Sequence, residues 1–270
     1  MSASPGPLVR AWRERRRLSQ LALASEAEIS QRHLSFIESG RATPSRDMVL
    51  RLAERLEVPL RDRNALLLSA GYAPLYPDRA LDDPALRAAR AAVERVLAAH
   101  EPYPALAIDR RWNLALANPA ALRLMAPIDP ELARPPVNVI RASLHPRGLS
   151  SRIVNLAAWR AHLLERLRRQ AALTGDPWIA ALLAEVSAYP GPKAAAPADP
   201  ADDIAVPLRL RTHAGCLSMF STVTVFGAPA ELVLSELSIE SFYPADEETG
   251  RLLRAAAADG LAAATISARN

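Results

Sequence analysis

The sequence predicts an all-α N-terminal domain of five helices, followed by an α+β domain with an antiparallel sheet of about five strands. Three observations predict it. As far as Gly71 the apolar residues recur at helical spacing between caps and stops, and no stretch alternates. From Pro104 onward alternating stretches appear, first as a hairpin and later as three strands with short connections. Charge divides the same way: twelve arginines and eight acidic residues fall within 1–70, a surplus equal to the whole chain's +4, and the remainder is balanced. A chain of 270 residues suits two domains.

The first helix is expected over Leu8–Arg17 after a loose Pro-, Ser- and Gly-rich lead, with Leu8, Val9 and Trp12 inward and Arg13, Arg15, Arg16 and Arg17 outward. The stretch Ser19–Pro44 (SQLALASEAEISQRHLSFIESGRATP) then gives a short helix marked by Leu21, Ala24 and Ala27. A tight turn through Glu28, Ile29 and Ser30 leads into a second helix. Two short helices so briefly joined must cross steeply, which projects the second one in the shape that enters a DNA major groove. Ser30 suits the cap, Leu34 and Ile37 face inward, and Gln31, Arg32 and Ser35 fall opposite with Phe36 beside them. Gln on adenine and Arg on guanine are common bidentate base contacts. Gly40 suits a left-handed stop, and Pro44 bars continuation. Ser39, Arg41 and Thr43, at and just beyond the helix end, are phosphate candidates. Ser45 caps Arg46–Leu56, and Leu60–Ala70 ends at Gly71.

Residues 72–83, with two prolines, read as a linker. Asp83-Pro84 opens a helix to His100. ALAID and WNLALAN form a hairpin with Trp112, Leu114 and Leu116 on one face, and Asn118-Pro119 caps the helix that follows. Residues 126–150 are irregular apart from a short helix over Asn138–Leu144. Ser151–Thr174 is a long helix with Arg160, Arg166, Arg168 and Arg169 on its solvated side. Asp176-Pro177 caps another, ending near Ala188. After the loop YPGPKAAAPADPADD come the strands IAVPLRLRT, CLSMFSTVTVF and ELVLSELSIESFY, an antiparallel meander with helices on one side. The middle strand mixes polar and apolar residues on its faces and so suits either an ordinary core or a pocket wall. A last helix runs from Asp246 to about Ala258.

Composition excludes several classes. Cys216 is the single cysteine, and the five histidines have no metal-ligand spacing, so neither an internal disulfide nor a metal site is expected. No apolar run approaches the roughly 18–20 residues of a membrane span. The opening MSASPGPLVRAWRERRR lacks a signal peptide's apolar core, so a cytoplasmic protein without membrane contact is expected. There is no G-x-S-x-G, P-loop, G-x-G-x-x-G or H-E-x-x-H motif. Glu236 and Glu240, on one face of the last strand, come nearest to a carboxylate pair, and the expectation is of a non-enzyme with no cofactor.

The spaced pattern Ser19-Gln20, Leu23-Ala24, Ala27, Ile29-Ser30, Leu34, Ile37-Glu38, Gly40, Pro44 resembles the XRE family of helix-turn-helix regulators, the lambda-repressor-like class. The longer string SQRHLSFIESGRATPSRDMVLRLAERLEVPLRDRNALLLSAGYAP is similar to the MmyB-like subgroup. Two positions depart from the family pattern: Glu28 stands where Gly is common, and Phe36 where a polar base reader is frequent. The strand, turn, strand and Asn-Pro-capped helix resemble the opening of a PAS-type sensor domain. HEPYPALAIDRRWNLALAN, LHPRGL, RIVN, VPLRLRT, STVTVFG and SIESFYPAD extend the MmyB-like resemblance across most of the second domain. The resemblance implies a bacterial regulator with a helix-turn-helix domain at 1–75, a linker at 76–83, a PAS-like ligand-binding and dimerisation domain at 84–260, and a tail at 261–270. It implies that Gln31, Arg32, Ser35 and Phe36 read bases and that Gln20 joins Ser39, Arg41 and Thr43 on phosphate. It also implies a homodimer on an inverted-repeat operator in the nucleoid, and a small apolar, fatty-acyl-like ligand. His145 and Arg152 are the candidates to orient the ligand's head group, with Trp112, Asn118 and Trp159 lining its site. Two alternatives stay open: a second domain that only dimerises or binds proteins, or one that is an enzyme.

Overall fold

The computed structural model describes residues 4–192, 206–226 and 231–267. It divides into two compact units, Met1–Ala80 with Gly227–Ser235, and Leu81–Phe226 with Glu236–Asn270.

The first unit contains α1 (Pro5–Arg15), α2 (Gln20–Glu26), α3 (Gln31–Glu38), α4 (Arg46–Arg55) and α5 (Leu60–Ser69). Serine hydroxyls start four of them: Ser4 accepts from the Gly6 amide at 3.4 Å, Ser19 from Ala22 at 3.0 Å, Ser30 from His33 at 3.1 Å and Ser45 from Met48 at 3.3 Å. Each such cap is worth about 1 kcal/mol. Leu23, Leu34, Ile37, Leu52, Leu56 and Leu66 fill the core between the helices. The expected loose lead is partly wrong. Helix α1 already begins at Pro5, with Pro5 and Gly6 buried. Gly6 is required there, because a Cβ would lie 2.3 Å from the Ile37 carbonyl oxygen. Helix α1 also stops two residues early, since Arg17 takes φ 55. Glu28, at φ 57, fills the turn position where Gly would be unstrained, and Gly40 ends α3 at φ 75 as expected.

The second unit opens with a 3-10 turn, Pro84–Leu86, and α6 (Arg87–Ala99). The hairpin β1 (Ala105–Ile108) and β2 (Leu114–Ala117) follows, then α7 (Pro119–Met125) and α8 (Val139–Leu144). Next come a 3-10 turn at Ser150–Arg152, α9 (Leu156–Thr174), α10 (Pro177–Ser187), β3 (Leu208–Thr212) and β4 (Gly215–Val225). The single turn α11 (Leu232–Ser235) belongs to the first unit, where it packs on α5. The chain closes with β5 (Ser238–Pro244) and α12 (Glu247–Ser267). The five strands form one antiparallel sheet in the order β2-β1-β5-β4-β3.

Four expectations need correction here. ELVLSELSIESFY is not one strand: its first half turns into α11, and β5 begins only at Ser238. A bulge at Ala115 of β2 sets Leu116 opposite Ala107 but Leu114 opposite Ile108, so the two leucines occupy opposite faces. All four residues of β1 are buried: Leu106 and Ile108 join α9's Leu163, Leu164 and Leu167 in the core, while α6 packs on β1 and β2, so helices do not cover one side only. The last helix extends past Ala258 to Ser267. Most of the Pro/Ala-rich loop and the Gly227-Ala-Pro-Ala connection lie outside the described residues.

Candidate nucleic-acid interface

Helix α3 divides cleanly by burial. Leu34 and Ile37 are buried, Gln31 and Arg32 are exposed, and Ser35 and Phe36 lie half-buried between them. The guanidinium groups of Arg32 and Arg41 stand 5.4 and 5.6 Å from the Phe36 ring centroid. Arg41 reaches it because the chain reverses at Gly40, where the Arg41 and Ala42 amides both donate to the Phe36 carbonyl, at 2.8 and 3.1 Å. Phe36 therefore acts as a platform for two cations. Ser39, Arg41 and Thr43 are exposed, and Ser39 donates its hydroxyl to the Ser35 carbonyl at 2.8 Å.

What fixes this face is an ion pair behind it. Glu38, 8% exposed, accepts from Arg13 Nε at 2.6 Å and Nη2 at 2.9 Å, and from Gln20 Nε2 at 2.8 Å. The Glu38 hydrogen bond is the largest cause of the raised Arg13 pKa. One carboxylate thus ties α1, α2 and α3 together. Arg13 was expected outward, but its side chain is 11% exposed. Helical periodicity assigns every arginine outward, and the signal that could have found this one is Glu38, an acidic residue four positions after Leu34 on the inward side of α3. Arg16 also turns inward, donating to the Leu56 and Glu57 carbonyls at 2.9 and 3.0 Å and capping α4.

In the second unit the five candidate ligand residues fall into separate places. Trp112, 6% exposed and at φ 65, donates its indole N–H to Gln170 Oε1 at 2.7 Å. Trp159 donates to Ser143 Oγ at 2.9 Å. Gln170 and Trp159 stand about 16 Å apart along α9, so the two indoles do not share one small cluster. Asn118 is saturated: its Oδ1 accepts from the Ala105 and Ala121 amides, and its Nδ2 donates to the Leu97 and Tyr103 carbonyls. His145 Nδ1 accepts from the Arg147 amide at 3.0 Å, in a turn where Gly148 is needed because a Cβ would lie 2.2 Å from the Ala142 oxygen. Arg152 donates Nε to the Arg211 carbonyl at 3.1 Å, while its buried Nη1 has no partner among the described residues. Two surface grooves, one around Glu28, Asp47 and Glu54, the other around Asp246, Arg251 and Arg254, include none of these five.

Two arginines of α9 expected in solvent are drawn inward. Arg160, 8% exposed, donates to the carbonyls of Val186, Ser187 and Tyr189 and closes the C-terminus of α10. Arg166 donates to Glu240 Oε1 at 2.8 Å and lies 4.5 Å from the Trp112 centroid. Ser221 also donates to Glu240 Oε1, at 3.0 Å. Glu240 is thus paired within the core face of β5, whereas Glu236 precedes the strand and lies 3.6 Å from Arg110. Near α8, Arg141 holds Glu185 through two bonds and its hydrogen bond draws the Glu185 pKa down. Burial, then a hydrogen bond to Glu185, pushes the Tyr189 phenol up to about 12. Among the described residues no group of three or more His, Cys, Asp or Glu could hold a metal ion, and no helix is long and apolar enough to cross a membrane.

Comparison with known families gives two matches. Residues 89–256 match the MmyB-like transcription regulator ligand binding domain, and residues 9–62 match a helix-turn-helix family. No curated protein matches. A solved structure similar to the chain is described as that of an RNA-binding Light-Oxygen-Voltage receptor, at 16% identity and a TM-score of 0.26. The similarity covers 94% of this chain and 64% of that one, so this chain spans less than two thirds of the receptor, and at that TM-score the likeness carries no argument.

Proposed function

We propose that this chain, which belongs to the family of MmyB-like transcription regulators, reads an inverted-repeat operator as a homodimer through the outer face of α3. The matched domains make it a DNA-binding transcription regulator with a ligand-binding domain. The observation that carries the finer reading is the exposure of Gln31 and Arg32 on a helix held from behind by Glu38. Gln31, Arg32 and Ser35 meet base edges, and Phe36 meets a thymine methyl while positioning Arg32 and Arg41. Ser39, Arg41 and Thr43 hold phosphate at the helix end, and Gln20 does so from the start of α2. One α3 spans only a few base pairs, so a second copy one helical turn away supplies the rest.

The second unit takes a small apolar ligand with an anionic head, of the fatty-acyl kind. Support comes from Arg152, whose buried Nη1 has no partner among the described residues and calls for an acceptor, with His145 earlier in the same connection. The ligand alters operator affinity only to the extent that it binds the free and DNA-bound forms unequally. The rival reading, an interaction domain without a ligand, is favoured by Trp112 and Trp159 lying within one continuous core.

Two measurements test the proposal. Fluorescence anisotropy on an operator obtained by selection compares the full inverted repeat with a single half-site at one salt concentration. A repeat bound at least a hundredfold tighter supports paired recognition, and equal affinities contradict it. Native mass spectrometry of the purified chain reads any bound lipid: a fatty acid lost on Arg152→Ala supports the ligand reading. A bare chain that titrates no fatty acid favours the interaction domain.

A further inference from the structure

Strand β4 outruns its neighbour. β3 pairs with it from Thr212↔Gly215 to Leu208↔Met219, and Pro207, without an N–H, precedes. Among the described residues no strand pairs with that edge of β4 beyond Met219, which leaves Phe220 to Val225 open on one side.

The neighbours show which backbone groups point into the opening. Arg209 directs both its groups away from β4, its N–H to Asn155 Oδ1 at 3.0 Å and its carbonyl to the Val154 amide at 2.8 Å. Leu208 and Leu210 therefore bond to Met219 and Leu217. Ser218 points the other way, its carbonyl accepting from Ala245 and its N–H donating to Thr249 Oγ1. Continuing the alternation, Thr222 and Thr224 bond to β5, and the N–H and carbonyl groups of Ser221, Val223 and Val225 face outward.

Nothing in the side chains guards this edge. Thr222 and Thr224 are exposed, Val223 is 49% and Val225 66% exposed, and residues 220–226 contain neither a charge nor a proline. Such an edge is a template for another strand. Its sequence says which one. Phe220-Ser221-Thr222-Val223-Thr224-Val225-Phe226 reads nearly alike in both directions about Val223, and only the Ser221 and Val225 positions differ.

We propose that β4 pairs antiparallel with β4 of a second copy about a two-fold axis through Val223, joining the two sheets into one. The hydrogen-bonded pairs are Val223 with its own copy, and Ser221 with Val225 in both directions. Phe220 then lies opposite Phe226, and Thr222 opposite Thr224, each facing a like residue across the strands. The proposal rests on the homodimer reading above and adds the surface that forms it.

The test uses the full chain in solution. Light scattering coupled to gel filtration is expected to give the mass of two chains. Val223→Lys sets two ammonium groups opposite each other. Val223→Pro removes one outward N–H without touching the β4–β5 ladder. Each is expected to weaken the dimer at least tenfold while far-ultraviolet circular dichroism is unchanged. A cross-link fixes the register should either variant fold poorly. With Cys216→Ser as background, oxidation should join Val223→Cys chains, whose Cα atoms would lie roughly 5.5 Å apart, within disulfide reach. Val225→Cys chains should stay apart, since four residues of strand separate the copies by roughly 13 Å. A dimer that both Val223 variants leave intact, or a disulfide at 225 in place of 223, overturns this interface and leaves the homodimer standing. A monomeric wild type overturns both.

Discussion

Each unit buries one glutamate against an arginine, and the two pairs are built differently. Glu38 receives three N–H groups on its two oxygens from two helices, and Arg13 is almost as buried as Glu38. At Glu240 the bonds from Arg166 and Ser221 both fall on Oε1, and the Arg166 side chain keeps 24% of its surface exposed. The first arrangement fixes a frame, so that α3 can offer Gln31 and Arg32 to solvent in one orientation. The second leaves a polar patch in the core of a ligand-binding domain less completely tied down. A buried charge that is fully met stiffens its surroundings, whereas a partly met one keeps the site adjustable.

The sharpest way to break the contrast is Glu38→Ala. It leaves Arg13 buried without its partner and should cost about 3 kcal/mol or more by urea denaturation. Glu240→Ala should cost less, about 2 kcal/mol, because Arg166 can turn to water. Equal losses would erase the distinction. On the smaller side, Glu28→Gly relieves a left-handed backbone beside α3. It should stabilise by about 0.5–1 kcal/mol in the same assay, the gain being reduced by the entropy of Gly.

The smallest effect is a pH dependence in the second unit. Arg141 lowers the Glu185 pKa from its ordinary 4.5, so this carboxylate binds its proton less readily when folded. Its contribution to stability is present above pH 4.5 and is lost as the pH falls through the lowered folded value. Both side chains are more than a third exposed, so water screens much of the interaction. Wild type should melt slightly higher than Glu185→Gln at pH 7, and the gap should close in acid. A gap that widens below pH 4.5 would reverse the sign.

Much of the first unit is legible from short-range rules. Ser19, Ser30, Ser45 and Gly40 mark the helix ends because a cap is a local bond between residues two or three apart. The inward side of α3 follows from the spacing of Leu34 and Ile37 alone. In the second unit the same rules find Asn118 and Asp176 but fail over longer distances. A one-residue bulge moved Leu116 to the other face, and periodicity cannot register a bulge. The alternation of ELVLSELS fits a strand as well as it fits the turn of α11. Arg160 and Arg166 sit at polar positions of α9, yet each is long enough to reach a carbonyl or a carboxylate on another element. The exposed face of α3 was legible because Gln31 and Arg32 lie opposite the buried Leu34 and Ile37 on one helix. The five candidate ligand residues, spread over separate elements, have no comparable spacing.

The central claim is that the outward face of α3 reads bases, and base-resolved selection from a random DNA pool tests it most directly, run on wild type and Arg32→Ala together. Arg32→Ala should relax the preference at one base pair in each half-site, by about tenfold, the equivalent of roughly 1–3 kcal/mol of discrimination, with the other positions and the melting temperature unchanged. An identical selected motif for both proteins would contradict it.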